Sequence, residues 1–312
     1  MARIIPKYPS DCPTQESNSL AWADFLEFIT CFKKRIIISD FIRPLYLASD
    51  ELVVSGIDSD EDEIYLKIDE IATEITRRKI ETKGNYPFEL DEEDYVLFIN
   101  NDSKAGNIYK FLLYTTHLNM STQRVHDTID GALLFEHVSS IVVKNYLGAN
   151  TSGGVFGTGL PGGFRTKLKS VMDAMGEGKD LRENPGTMPQ DEDIDIIAWK
   201  PFFDGRKSQL IIFGQCKTGL SWWSSYRRLG VKHIIDNWFL VPPIEDPIRM
   251  FFCSRCFCSQ KWDYKAKYLG IVFDRFRILC QLSSSNRLGD QHTYASVGKW
   301  VKAVEKWLKA AT

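Results

Sequence analysis

Two apolar, β-branched runs separated by a turn constrain this chain more than any other feature. Asp193-Ile-Asp195-Ile-Ile-Ala-Trp199 and Leu210-Ile-Ile-Phe-Gly-Gln215-Cys-Lys217 read as buried strands, and Asp204-Gly205 with Lys207-Ser208 between them is a hairpin turn signal. Gly205 lies midway between Asp195 and Gln215, so an unbulged hairpin sets those two residues opposite each other or one step off. Side chains alternate along a strand. Asp193 and Asp195 therefore share a face, as do Gln215 and Lys217, and carboxylate, amide and ammonium are expected to meet at one place. Burying a lysine beside an aspartate is costly unless the two pair or hold an ion. A salt bridge across the hairpin meets that requirement. So does a divalent metal on Asp195 with Lys217 beside an attacking water.

The remaining chain bounds what such a hairpin belongs to. Its 312 residues, 44% hydrophobic, are enough for a sizeable core and one or two domains. A net charge of −2 excludes a globally basic surface, so any nucleic-acid contact must come from local patches. The opening MARIIPKYPS lacks a signal-peptide core and no apolar run is long enough for a membrane span. Seven scattered cysteines, an odd number, are expected as reduced thiols in a cytoplasmic protein.

Helical periodicity marks 19–32, 64–80, 129–147, 164–175, 232–240 and 296–310, while 36–38, 248–258 and 268–282 read as strands and 95–100 as a short strand or a helix start. The acidic run DSDEDE at 58–63 lacks the glycine and later glutamate of a calcium loop, and reads as a solvated loop or helix start. Arg77-Arg78-Lys79 suits the negative end of its helix. Arg165, Lys167 and Lys169 crowd a helix start, where cations oppose the dipole, which hints at an anionic partner or a solvated basic face. A change of texture at 122–130 sets a boundary, giving an N-terminal, mostly helical α+β region over 1–125 and an α/β domain over 126–312.

Several chemistries lose support. Cys253-x-x-Cys256-x-Cys258 has no second pair to close a zinc site. Gly157-Thr-Gly159-Leu-Pro-Gly162 matches G-x-G-x-x-G, but ANTSGGVF before it does not read as a strand and no acid follows at the right place; a flexible loop approaching a phosphate, or a plain linker, suits it better. There is no P-loop and no G-x-S-x-G. Cys216 is expected to face away from Gln215 and Lys217, which argues against a thiol nucleophile. Glu136 lies inside the dense apolar stretch Leu133–Val138. It either reaches solvent or an arginine at the helix margin, or serves a site.

Glu136 in a helix, Asp195 on a strand before IIAW, and Gln215-Cys-Lys217-Thr-Gly on the next strand resemble the PD-(D/E)xK phosphodiesterase superfamily in its Gln-x-Lys form, over about residues 130–285. The wider pattern is similar to bacterial nucleases of phage-defence and restriction systems. The resemblance implies a restriction-endonuclease-like mixed sheet flanked by helices. It implies Mg²⁺ (or Mn²⁺) on Glu136 and Asp195 with Gln215 supporting the metal, and Lys217 as the catalytic lysine. The implied substrate is DNA, with RNA as an alternative, and residues 1–125 are a candidate surface for a partner protein. Gln215 stands where many members carry Asp or Glu, which removes one charge from the metal site and leaves open a nuclease-like module that binds without cutting.

Overall fold

The structure is a computed structural model. It describes residues 13–47, 57–100, 103–157, 162–183, 193–219, 229–258, 261–283 and 290–311. The chain divides into two compact units, Met1–Asp127 with Val297–Thr312, and Thr128–Ser296. The break falls within the stretch where texture changes. The last residues, however, group with the first unit rather than the second.

The first unit comprises α1 (Ser19–Lys33), β1 (Arg35–Ile37), α2 (Ser39–Leu47), α3 (Ile57–Glu81), β2 (Phe88–Asp91), β3 (Val96–Ile99), α4 (Lys104–His117) and β4 (Val125–His126), with the C-terminal part of the last helix. β1, β3 and β2 form a small antiparallel sheet in that order. The acidic run at 58–63 falls in the first turns of α3, and Ile64, Ile68, Ile71 and Ile75 bury its apolar stripe, as their spacing requires. Arg78 is not at a solvated helix end. It is fully buried, and its guanidinium pairs with Asp24 at 2.6 Å, Glu27 at 2.8 Å and Glu74 at 2.8 Å. Its neighbours Asp24 and Glu27 sit in α1, among Trp22, Phe25 and Phe28, so tertiary packing outweighs the preference for a solvated cation.

The second unit begins with β5 (Ile129–Asp130) and α5 (Gly131–Leu147). It continues with β6 (Ser152–Val155), α6 (Phe164–Met175), β7 (Lys179–Leu181), β8 (Ile196–Lys200), β9 (Leu210–Lys217) and α7 (Val231–Trp238). It ends with β10 (Phe239–Val241), β11 (Ile248–Cys253), α8 (Trp262–Leu269), β12 (Ile271–Phe273), α9 (Arg275–Ser283) and the start of α10 (Gln291–Ala311). Asp130 caps α5 by accepting from the Ala132 and Leu133 N–H groups, and Gly148, at φ 84°, ends it. The central sheet runs β12-β11-β9-β8-β6. β8 runs antiparallel to both of its neighbours, β6 and β9, and β11 and β12 continue parallel to β9. The class is therefore mixed α/β.

α5 lies against β6, β8 and β9, and α9 packs on α5. The other core gathers Ile197, Trp199, Ile211 and Phe213 of the sheet with Phe164, Leu168 and Met172 of α6 and Ile234 and Trp238 of α7. Helices thus cover both faces of the central strands, which is why Ile196–Trp199 and Ile211–Phe213 are continuous apolar runs rather than alternating.

Further expectations need correction. Residues 152–155 are a strand, and its glycines explain why the pattern hides it. A Cβ on Gly153, which holds φ +85°, would stand 2.3 Å from the Ile197 carbonyl oxygen of the neighbouring strand. Residues 268–282 are not one strand. Gly270 at φ +79° closes α8, three residues pair in β12, and Asp274 Oδ1 accepts the Arg277 N–H to start α9. Among the described residues no helix is long and apolar enough to cross a membrane.

Candidate active site

The register of β8 and β9 pairs Ile196 with Gly214, so Asp195, one residue before β8, falls opposite Gln215. Its N–H donates to the Gly214 carbonyl at 2.9 Å, and its own carbonyl accepts from Phe156 N–H at 2.8 Å. Asp195 is thereby clamped by backbone on both sides. Its Oδ2 accepts the Cys216 N–H at 2.6 Å, a charge-assisted bond that fixes the carboxylate over β9. Gly157 passes beside Oδ1, and the buried Lys167 anchors that segment by donating to the Gly157 carbonyl at 2.7 Å. Residues 158–161, within the Gly-rich motif, lie outside the described residues.

Lys217 ends β9. Its Nζ stands 2.9 Å from Asp193 Oδ1, with both side chains about a fifth to a quarter exposed (20% and 24%). Asp193 itself holds φ 55°, a left-handed conformation that re-aims the chain just before Asp195. The salt bridge across the hairpin therefore forms, with Asp193 rather than Asp195 as the partner.

Gln215 is fully buried. Its Oε1 accepts from the Arg249 guanidinium at 3.2 Å, and Arg249 also donates to the Tyr268 carbonyl at 2.9 Å. Arg249 has only donors to offer, so the amide oxygen faces it. Gln215 Nε2 is a buried donor with no hydrogen-bond partner among the described residues. A metal-supporting role for Gln215 would need the amide to turn away from Arg249. Arg249 is a participant the sequence reading missed. The available signal was a lone arginine beside Met250-Phe251-Phe252.

Alternation sends the Cys216 side chain to the opposite face of β9, where α5 lies. Burial first, then the Asp195 and Glu136 carboxylates, push its thiol well above the ordinary value of 9.0, with the Ser139 hydroxyl and Lys217 pulling weakly the other way. Glu136 and Asp195 thus both bear on one thiol from adjacent elements, and Glu136 Oε2 is sealed from solvent. The structure brings Glu136, Asp195 and the main chain of β9 into one neighbourhood, sets Lys217 against Asp193, and directs Gln215 toward β11.

The cations at the start of α6 do not form a free basic face. Arg165 donates to the Leu181 and Arg182 carbonyls, Lys167 is buried, and Lys169 pairs with Asp173. Cys253 and Cys256 are buried and form no disulfide, and burial pushes Cys253 up to about 12. Among the described residues no group of three or more His, Cys, Asp or Glu is gathered as a metal-ligand set. Asp195 and Glu136 are the two carboxylates that the resemblance assigns to a metal. That donor set suits a hard, hydrated cation such as Mg²⁺, which takes one or two carboxylates and keeps several waters, and it does not suit zinc.

No family model matches the chain, and no curated protein or solved structure is detectably similar to it.

Proposed function

We propose that the second unit is a Mg²⁺-dependent phosphodiesterase of restriction-endonuclease-like fold that cleaves DNA, in defence against foreign DNA. The observation that carries this reading is the placement of Asp195. It is clamped at the head of β8, across from Gln215, with its carboxylate on the main chain of the Q-x-K strand and Glu136 of α5 acting on the same thiol. A helix with an acid, followed by adjacent antiparallel strands carrying Asp and Gln-x-Lys inside a mixed sheet covered by helices, is the arrangement the resemblance implies.

Asp195 and Glu136 would hold the cation. When bound, it supplies charge that polarises the phosphate and acidifies water. The hydrolysis adds water across a P–O bond, leaving a phosphate on one fragment and a hydroxyl on the other. Lys217 donates hydrogen bonds from a rotatable ammonium. In this role it leaves Asp193 to orient the water and to offset negative charge as it grows on the phosphoryl oxygens. Asp193 holds that ammonium beside the site.

Nicking of supercoiled plasmid, with Mg²⁺ and with EDTA, tests this. Mg²⁺-dependent cutting that falls at least about a hundredfold in Asp195→Asn and Lys217→Ala supports the mechanism. Variants that cut as fast as the parent sink it.

The engagement of Gln215 with Arg249 favours a second reading, a nuclease-like module that binds without cutting. Calorimetric titration of Mn²⁺ separates the two. A binding module gives no heat that depends on Asp195.

A further inference from the structure

The exposed lysines of α10 take no part in the site above, and in the first unit they line one wall of an open groove. The groove encloses about 690 Å³ and is formed by residues 299–310 of α10 together with residues 125–127. Lys299, Lys302 and Lys306 recur at i, i+3 and i+7 on one helix face, spanning about 10 Å of axis at 1.5 Å per residue. All three are exposed and none makes an ion pair among the described residues. The same groove presents aromatic surface. Trp307 is half-buried, and the His126 ring lies 5.2 Å from it. Burial lowers His126 below the ordinary 6.5, so the imidazole stands as a neutral aromatic wall at pH 7. Asp127 is the acid of the groove.

Unpaired cations at one edge and π-faces beside them fit a polyanion that carries flat rings. The lysine row is long enough to meet successive phosphates of one strand. A duplex offers a convex backbone that would rest on the rim. A single strand can lay phosphates on the lysines and turn a base onto Trp307. We infer that this groove of the first unit binds a single-stranded nucleic-acid segment, its phosphates on Lys299, Lys302 and Lys306 and a base against Trp307. The choice of nucleic acid over an acidic peptide rests on the rings of the groove and on the nuclease reading of the second unit.

The test is fluorescence anisotropy of a short labelled oligothymidylate with the full chain in EDTA, so that binding is read without cleavage. Lys299→Gln/Lys302→Gln/Lys306→Gln alters only solvent-facing positions, and a thermal melt matching the parent verifies its fold. The expected result is at least a tenfold loss of affinity. The slope of log K against log salt should become shallower by about 2, since each phosphate contact contributes roughly 0.7 for single strands. Trp307→Leu is expected to weaken binding roughly tenfold with the salt slope unchanged. Unchanged affinity and slope in the triple variant overturn the proposal, as does polyglutamate displacing the oligonucleotide as well as unlabelled oligothymidylate does. Lysine-dependent binding in a protein that never nicks plasmid sinks the nuclease reading alone. Plasmid nicking without lysine-dependent binding sinks the groove alone.

Discussion

Lys217 Nζ and Asp193 Oδ1 stand 2.9 Å apart, while Asp195, two residues further on, spends its Oδ2 on the Cys216 N–H at 2.6 Å. Two acids of nearly identical sequence context therefore have different tasks. One holds the ammonium, and the other is locked to the backbone of the strand that carries it.

This division separates the two aspartates experimentally. The Lys217–Asp193 pair is partly exposed, so its net contribution to stability is at most about 1 kcal/mol. Asp193→Asn is expected to keep plasmid nicking within about tenfold of the parent and to move Tm by only a few degrees. Asp195→Asn is expected to abolish nicking with a similarly small change in Tm, because the amide oxygen still accepts the Cys216 N–H. Paired melting curves and nicking rates check both.

The buried cluster on Arg78 predicts a large stability effect far from any chemistry. Arg78→Met removes the buried guanidinium from Asp24 and Glu27 and leaves Glu74 with Arg77, a loss of about 3–5 kcal/mol in urea or thermal unfolding. The cluster also sets an acid limb. Burial pushes the Glu74 carboxyl up, but hydrogen bonds and charge from Arg77 and Arg78 more than reverse this and hold it below the ordinary 4.5. A depressed folded pKa stabilises above the unfolded value and is lost as pH falls through the folded one. Stability is therefore expected to be flat above pH 4.5 as far as Glu74 is concerned, and to fall below it. Glu74→Gln should be destabilised at neutral pH and show a shallower acid limb.

Cys216 tests the chemistry by exclusion. Its thiol is held protonated by burial and by Asp195 and Glu136, and only the thiolate is an effective nucleophile. Alkylation at pH 8 should leave Cys216 unmodified in peptide mass maps of the native protein, and Cys216→Ala should retain plasmid nicking within a few-fold. A thiol that alkylates rapidly, with loss of nicking, would contradict this environment.

Gly153 joins the edge strand to β8 through a contact that only glycine allows. Gly153→Ala is expected to cost at least about 2 kcal/mol, from the φ of +85° and a Cβ driven against the Ile197 carbonyl. Because β6 carries no large side chain into the core, hydrogen-exchange protection should be lost first at Gly154 and Val155 and at their β8 partners.

Much of the site was legible along the chain. β9 begins and ends where its apolar run does, α5 is closed by Gly148, and Asp195 lies across from Gln215 as the turn midpoint required. These features are local, so spacing and turn chemistry suffice to read them. β6 was not legible, because its Gly-Gly pair pairs by close backbone approach and leaves no side-chain pattern. The start of α9 was missed because Phe-Arg-Ile-Leu-Cys-Gln-Leu suits a strand as well as a helix until Asp274 and Gly270 are seen to bound it. Arg78 and Lys167 read as surface cations because charge in a helix usually faces water. Their burial depends on acids and carbonyls far away in the chain.

The strand pair, its register and the helix carrying Glu136 follow from periodicity within one segment, so they could be read along the chain. Which acid meets Lys217, the turn of Gln215 to Arg249 and the burial of Arg78 were settled by packing between segments. It also decided that the last residues of α10 belong with the first unit, where Trp300 donates to the Arg124 carbonyl and Lys110 pairs with Glu305. Pairings of this kind are chosen by desolvation. A buried charge or donor takes whichever partner the packed chain places beside it, and neighbours in space are not written in neighbours along the sequence.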